Sequence, residues 1–213
     1  MSGQTDSAYL YIKQKILDGE FRPAQKLTEL QLAEAIGVSR NTVKKALMKL
    51  EQEKLVTFEE NKGASIKSFT LEEVINYLEI REVLEGLVAR TVARDVADTE
   101  LGELRLILDK MAENLENSRL DEYSKGNRTF HGLIYTLAKN TQAVELINMI
   151  STQLIRYQFR TVLVPGRIQE SYREHLDIYE ALKSHDEKRA EASIRAHVAN
   201  VRQTIKANYY YLL

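Results

Sequence analysis

The chain contains no cysteine, which excludes disulfides and thiolate metal ligands and suits a reducing compartment such as the cytoplasm. It has only two prolines, Pro23 and Pro165, and nine glycines, so breaks in helical structure are few. No apolar run approaches the length needed to span a membrane, and residues 1–7 are too polar for a signal peptide. A cytoplasmic protein with no membrane partner is the expectation. Charge of one sign is also lacking: the net value is −1, which argues against a general polyanion binder. That charge is unevenly spread, because the segment 1–68 carries +2 and the remainder −3. What the chain does have is 44% hydrophobic residues to build a core and 29% charged residues to solvate it.

From residue 70 onward the apolar spacing is helical almost throughout. Thr70 and Glu73 form a capping-box pattern ahead of a segment from Leu71 to about Val96, with Val74, Leu78, Val83, Leu84, Leu87 and Val88 at apolar positions. Asp98 is placed to cap a second helix reaching about Leu115. Further helices are expected from Leu120 or Asp121 to Lys139, and from Ala143 to Val162. The Val164-Pro165-Gly166 turn then separates these from a helix over Ile168–Ser184 and from one capped by Asp186 and running towards Tyr209. Six helices with short connections read as an antiparallel bundle.

The segment ahead of these helices differs. It predicts a helix over Ser7–Leu17, a loop at Pro23, a short helix opened by a Thr28/Gln31 capping box and closed at Gly37, and a third helix capped by Ser39 and lasting to about Glu53. Two β-compatible stretches follow, Leu55–Glu59 and Ser65–Ser68, joined across the Asn61-Lys62-Gly63 turn. The fold expectation is therefore mainly α: a winged helix-turn-helix over 1–68 and an all-helical bundle over 69–213.

In the third helix Val43, Ala46, Leu47 and Leu50 recur at i, i+3, i+4 and i+7 and form the buried stripe. The opposite face carries Arg40, Asn41, Lys44 and Lys45, with Met48 and Lys49 at its flank. Such a face suits the major groove of double-stranded DNA: Arg can bind guanine bidentately, Asn can bind adenine, and Lys neutralises phosphate. Gly63 lets the wing tip approach the DNA backbone closely, with Lys62 beside it. A solvated helix face is the plain alternative, but cap, face and preceding helix agree.

The run Leu32-Ala33-Glu34-Ala35-Ile36-Gly37-Val38-Ser39-Arg40-Asn41-Thr42-Val43-Lys44-Lys45-Ala46-Leu47, followed by Leu50-Glu51 and Leu55-Val56, resembles the DNA-binding domain of the GntR superfamily. Phe21 to Leu27 is similar to that family's Pro-Gly-x-x-Leu loop, with Ala24 where Gly is usual, and Asn61 to Ala64 matches its wing. The resemblance implies that Ser39, Arg40, Asn41, Thr42, Lys44, Lys45, Lys49, Lys62 and Gly63 face DNA. Where the family commonly has Thr-Pro-Val-Arg-Glu, this chain has Asn41-Thr42-Val43-Lys44-Lys45, so the operator is expected to differ.

Glu79 to Gly86 resembles the opening helix of the FCD ligand-binding domain of the FadR subfamily, and six helices rather than seven suit its shorter, VanR-like branch. Many FCD domains hold a divalent metal with one Asp and three His. The resemblance places His131, His175 and His197 at the three histidine positions and Asn127 at the Asp position. Asn127 and His131 stand one helical turn apart, and imidazole suits Zn²⁺ first, with Ni²⁺ or Mn²⁺ as further options. Asn127 brings no charge, so it is a weak fourth ligand or a hydrogen-bond partner. The fourth histidine, His185, reads as a surface residue.

The ligand expected from the family is a small organic acid, with Arg81 as a charge-assisted clamp or, equally, as a salt-bridge partner of Glu85. Tyr77, Tyr123 and Tyr135 are candidates to line the pocket or to sit in the core. The terminal Asn208 to Leu213 is too apolar to be free, and packs on the bundle or on a partner subunit. The resulting functional expectation is a homodimeric, effector-controlled transcriptional repressor, not an enzyme, reading a pseudo-palindrome. Two rivals are a metal-dependent hydrolase using the three histidines with Glu174 as base, and an architectural DNA binder without ligand.

Overall fold

Ser39 shows how the local chemistry sets the elements: its side-chain oxygen accepts the Thr42 N–H at 3.1 Å and opens the third helix where expected. In the computed structural model, which describes residues 2–17, 19–59 and 63–212, apart from the side chains of 2 and 155–160, two compact units are present, Met1–Thr70 and Leu71–Leu213.

In the first unit the elements are α1 (Ser2–Leu17), β1 (Lys26–Leu27), α2 (Glu29–Ile36), α3 (Arg40–Gln52), β2 (Val56–Glu59) and β3 (Gly63–Ile66). Helix α1 begins ahead of the expected start, because Ser7 is no cap: its hydroxyl donates back to the Gly3 carbonyl at 2.9 Å inside the helix. Thr28 precedes α2 in an extended conformation but makes no side-chain capping bond, so the expected box with Gln31 is absent. Gly37 closes α2 in the left-handed conformation, φ 77°, and donates to Ala33. The strands form one antiparallel sheet in the order β1-β3-β2. Glu59 pairs with Gly63, so β3 starts at Gly63, ahead of the Ser65 that its apolar pattern implies. The short β1 was not foreseen, since a strand of Lys26 and Leu27 alone shows no periodicity. Ala8, Ile12, Val43, Ala46, Leu47 and Leu50 form the centre of this unit's core.

Ala24 occupies a left-handed conformation, φ 59°, with its N–H donating to the Ile66 carbonyl at 3.1 Å. A Cβ in that region costs about 1–2 kcal/mol, whereas glycine adopts it freely at some entropic cost in the unfolded chain. Ala24→Gly is expected to stabilise the unit by up to about 1 kcal/mol in urea denaturation; a loss of stability would show that the loop is not strained.

The second unit contains α4 (Leu71–Asp95), α5 (Asp98–Glu116), α6 (Leu120–Leu137), α7 (Thr141–Thr161), α8 (Arg167–Lys183) and α9 (Glu187–Leu212). Helix α9 packs along α4, α5 lies against α6 and α8, and α7 packs on α4. The core is continuous through Val88, Leu104, Leu108, Met111, Phe130, Ile134, Ile147, Ile178 and Ile194. Asp98 is the first residue of α5 rather than its cap; the Ala97 N–H donates instead to Glu100 Oε2 at 2.8 Å. Asp186 does cap α9, accepting the Arg189 N–H at 3.0 Å. At the C-terminus the backbone kinks at Asn208, Leu212 is buried, and Tyr210 and Tyr211 remain exposed. No helix among the described residues is long and apolar enough to cross a membrane.

Candidate metal centre and nucleic-acid face

On α4 the buried stripe runs Val74, Leu78, Arg81, Glu85, Val88, Val92, so two charged residues interrupt an apolar face. Burying either alone would be costly, and the i, i+4 spacing resolves it by pairing them: Arg81 Nε donates to Glu85 Oε1. Burial would raise the Glu85 carboxyl, but Arg81 above all, with His131 and His197, holds it down at about 2. The two roles considered for Arg81 are therefore not exclusive, since the paired guanidinium also lines a cavity.

Helix α6 contributes His131, α8 contributes His175 and α9 contributes His197, all buried. One ring nitrogen from each lies within 4.8 Å of the others. His131 Nε2 and His175 Nε2 are 3.2 Å apart. The other ring nitrogen of each histidine faces an oxygen. His175 Nδ1 lies 2.5 Å from the Ser171 carbonyl, His197 Nδ1 lies 2.7 Å from Glu174 Oε2, and His131 Nδ1 lies 3.4 Å from Glu85 Oε2. A carbonyl and an ionised carboxylate only accept, so these partners place the protons of His175 and His197 on Nδ1 and leave Nε2 of each as a lone pair. His131 Nδ1, by contrast, makes no hydrogen bond, and its proton can sit on Nε2, between His131 and His175.

Two imidazole lone pairs facing each other at that separation repel unless a cation or proton lies between them. Burial, together with the other two rings, holds His175 far below the usual histidine range, and His197 sits at about 4, so neither of these two rings is charged at neutral pH. Nitrogens bound to one Zn²⁺ at about 2.0–2.1 Å, at tetrahedral or octahedral angles, stand about 2.8–3.4 Å apart. The donor set therefore fits a divalent cation. Asn127, one turn before His131, lines the same cavity, and its Oδ1 is buried without a hydrogen-bond partner. Phe130 packs edge-on to His175, with ring centres 5.1 Å apart, and keeps that side dry.

Sequence reasoning missed how the histidines are held. Glu174 does point away from the position of its neighbour His175, but it accepts from His197 and, at 2.8 Å, from Asn200 on the next helix, and from Arg167 Nη2 at 2.7 Å on its own helix. Burial raises its carboxyl, and these partners, His197 first, bring it down to about 2. Held in this way it is no base at neutral pH, and the hydrolase reading has no proton acceptor there. The signal available in the sequence for Glu85 was a carboxylate on an otherwise apolar stripe. Arg167, beside the Pro165-Gly166 turn, gave none.

Beside the histidines is a cavity of about 70 Å³ whose walls include Arg81, Tyr123, Asn127, Arg167, Ser171 and His197. Tyr77 is not among its lining residues; Tyr123 occupies that role, its hydroxyl buried without a partner and its pKa pushed up by burial to about 12. Tyr135 belongs to the buried core. His185 is exposed, as expected of a surface residue, and its Nδ1 lies 2.8 Å from the Ala93 carbonyl.

In the first unit Val43, Ala46, Leu47 and Leu50 are fully buried, which turns Arg40, Asn41, Lys44, Lys45 and Met48 outward. Ser39 and Thr42 are engaged with each other, with hydroxyl oxygens 2.8 Å apart. Arg40 is largely exposed and 3.8 Å from Glu29. Lys49 is exposed but tethered: its ammonium donates to Asp6 at 2.6 Å and lies over the Tyr9 ring. Gly63 has φ 81°, a conformation that favours glycine at the wing. Lys62 lies outside the described residues.

Residues 4–66 match the family of bacterial regulatory proteins named gntR, and residues 76–200 match the FCD domain. The HTH-type transcriptional regulator YdhC of Bacillus subtilis is 28% identical over 190 residues, covering 89% of this chain and 85% of that protein. The HTH-type transcriptional repressor RspR of Escherichia coli is 23% identical over 198 residues, covering 93% and 87%. In fold, the chain resembles a GntR regulator from Rhodococcus sp. RHA1, with a TM-score of 0.78 at 22% identity over 97% of this chain and 99% of that one. The relatives are regulators of transcription rather than enzymes. With a gntR-type head on an FCD effector-binding domain, the chain belongs to the GntR family of transcriptional regulators.

Proposed function

We propose that the chain is a homodimeric repressor whose DNA affinity is set by a small organic acid bound beside a zinc site in the helical unit. The observation that carries the sensing half is the buried convergence of three imidazoles whose Nδ1 atoms all face acceptors. His131, His175 and His197 would hold the cation, with Asn127 as a neutral neighbour. When bound, the cation supplies a Lewis-acidic attachment point for a carboxylate. The chain's own residues do the rest: Glu85, Glu174 and the Ser171 carbonyl fix the ring orientations, Phe130 excludes water, and Arg81 adds positive charge to the cavity wall.

Support for the DNA half is the outward face of α3, whose Arg40, Asn41, Lys44 and Lys45 match groove-reading chemistry, with Gly63 and Lys62 at the wing. A two-fold dimer would place two such helices in successive major grooves of a pseudo-palindrome. Repression follows the name of the relative RspR, and DNA binding places the protein in the cytoplasm. Protein purified without chelators is expected to bind DNA from its own upstream region, with affinity falling steeply between about 50 and 200 mM salt. Zinc with an organic acid is expected to weaken that binding. Salt-independent or sequence-indifferent binding would overturn the reading.

A further inference from the structure

The walls of the cavity do not balance the charge of a divalent cation. Arg81 is paired with Glu85 and Arg167 with Glu174, so each pair is close to neutral. Imidazoles that ligate a cation do so in their neutral form, so the trio adds no charge to offset it. Asn127, one turn before His131, contributes none either. A divalent cation held by the trio therefore leaves two positive charges uncompensated in a buried place, where isolated charge is costly.

A second observation points to what balances them. The Arg167 side chain is only 5% exposed. Its Nη2 reaches Glu174, but its Nε and Nη1 are buried with no hydrogen-bond partner, as is the Tyr123 hydroxyl on the same cavity wall. Buried guanidinium donors are rarely left unmatched, and a carboxylate answers such a donor with a charge-assisted hydrogen bond. Arg128, at the rim, adds a further positive charge.

We infer that the effector is a short dicarboxylate, with one carboxylate towards the three histidines and the other accepting from an unmatched Arg167 donor and the Tyr123 hydroxyl. The inference rests on the reading of this cavity as the effector site. Its small volume, about 70 Å³, favours a chain of a few carbons over an aromatic acid. Asn127 then sets the selectivity, since an aspartate there would neutralise one of the two charges that a dianion answers.

The test is calorimetric titration of the zinc-loaded full-length protein with acetate, propionate, malonate, succinate and inorganic phosphate, with zinc content assayed before and after. Malonate or succinate is expected to bind about tenfold or more tightly than either monocarboxylate. Arg167→Gln should erase that preference while zinc remains stoichiometric. Asn127→Asp should hold zinc more tightly and shift the preference towards the monocarboxylates, and it decides the matter if the Arg167 variant does not fold. Equal binding of mono- and dicarboxylates, an unchanged preference in the variants, or binding of phosphate alone would overturn the inference and leave the effector site standing. Failure of all five probes to bind would overturn the effector-site reading itself.

Discussion

Replacing His175 by Ala is expected to lower zinc affinity by at least about a hundredfold, because even the loss of an outer hydrogen-bond partner typically costs roughly 10–100-fold and this change removes a donor outright. His175 is fully buried at the centre of the trio, with ring-centre distances of 5.1 Å to His131 and 4.6 Å to His197. Competition against a chromophoric chelator reads the affinity directly. In thermal unfolding, the parent protein gains about 4 kcal/mol when zinc stands about a thousandfold above its dissociation constant, whereas the variant gains almost nothing. Glu174→Gln provides the graded control. It leaves all three rings in place but removes the charge behind His197 Nδ1, so a decrease between those of the parent and the His175 variant is expected. An undiminished zinc response in His175→Ala would show that the trio is a structural cluster.

Replacing Arg40 by Ala is expected to weaken operator binding by roughly 5- to 150-fold, the equivalent of about 1–3 kcal/mol for one bidentate base contact, and to relax sequence preference at that position. The change should leave the unit folded, because Arg40 is exposed and its pairing with Glu29, at 3.8 Å, is a surface contact of small value. Lys44→Ala should behave differently. As a phosphate contact it weakens all sequences alike and reduces the slope of log affinity against log salt by about one. Lys49→Ala should do less than either, since Asp6 and the Tyr9 ring already hold that ammonium. Fluorescence anisotropy on operator and scrambled DNA across a salt series separates the three. Equal losses on both sequences for Arg40→Ala would argue that it touches phosphate only.

Much of this was legible in the sequence where local chemistry acts alone. Helical spacing marked six helices after residue 70, and Ser39 and Gly37 marked the ends around α3, because caps and amphipathic stripes depend on residues within one or two turns. The family pattern named the three histidines, and the fold brings them together. Legibility ended where a contact joins distant parts of the chain. Glu174 on α8 meets His197 on α9, His131 on α6 meets Glu85 on α4, and no periodicity links either pair. Arg167 looked like one more charge at a turn, and only packing shows that it is buried. Thr28 had the right type and spacing for a cap and still does not serve as one. Tyr77 and Tyr123 were equivalent on sequence, and the bundle's geometry chose Tyr123.

The 3.2 Å approach of two imidazole nitrogens has a consequence for how this half of the molecule folds. Natural sequences are minimally frustrated, with local preferences and global packing in agreement, and departures concentrate where function requires them. Here the helices α6, α8 and α9 agree in their apolar packing and are in conflict at one polar point. A proton on His131 Nε2 or a cation relieves that conflict, and a cation would in addition join the three helices there. If the trio holds a cation, stability and occupancy are linked, and the helical unit is expected to fold more firmly as metal is supplied.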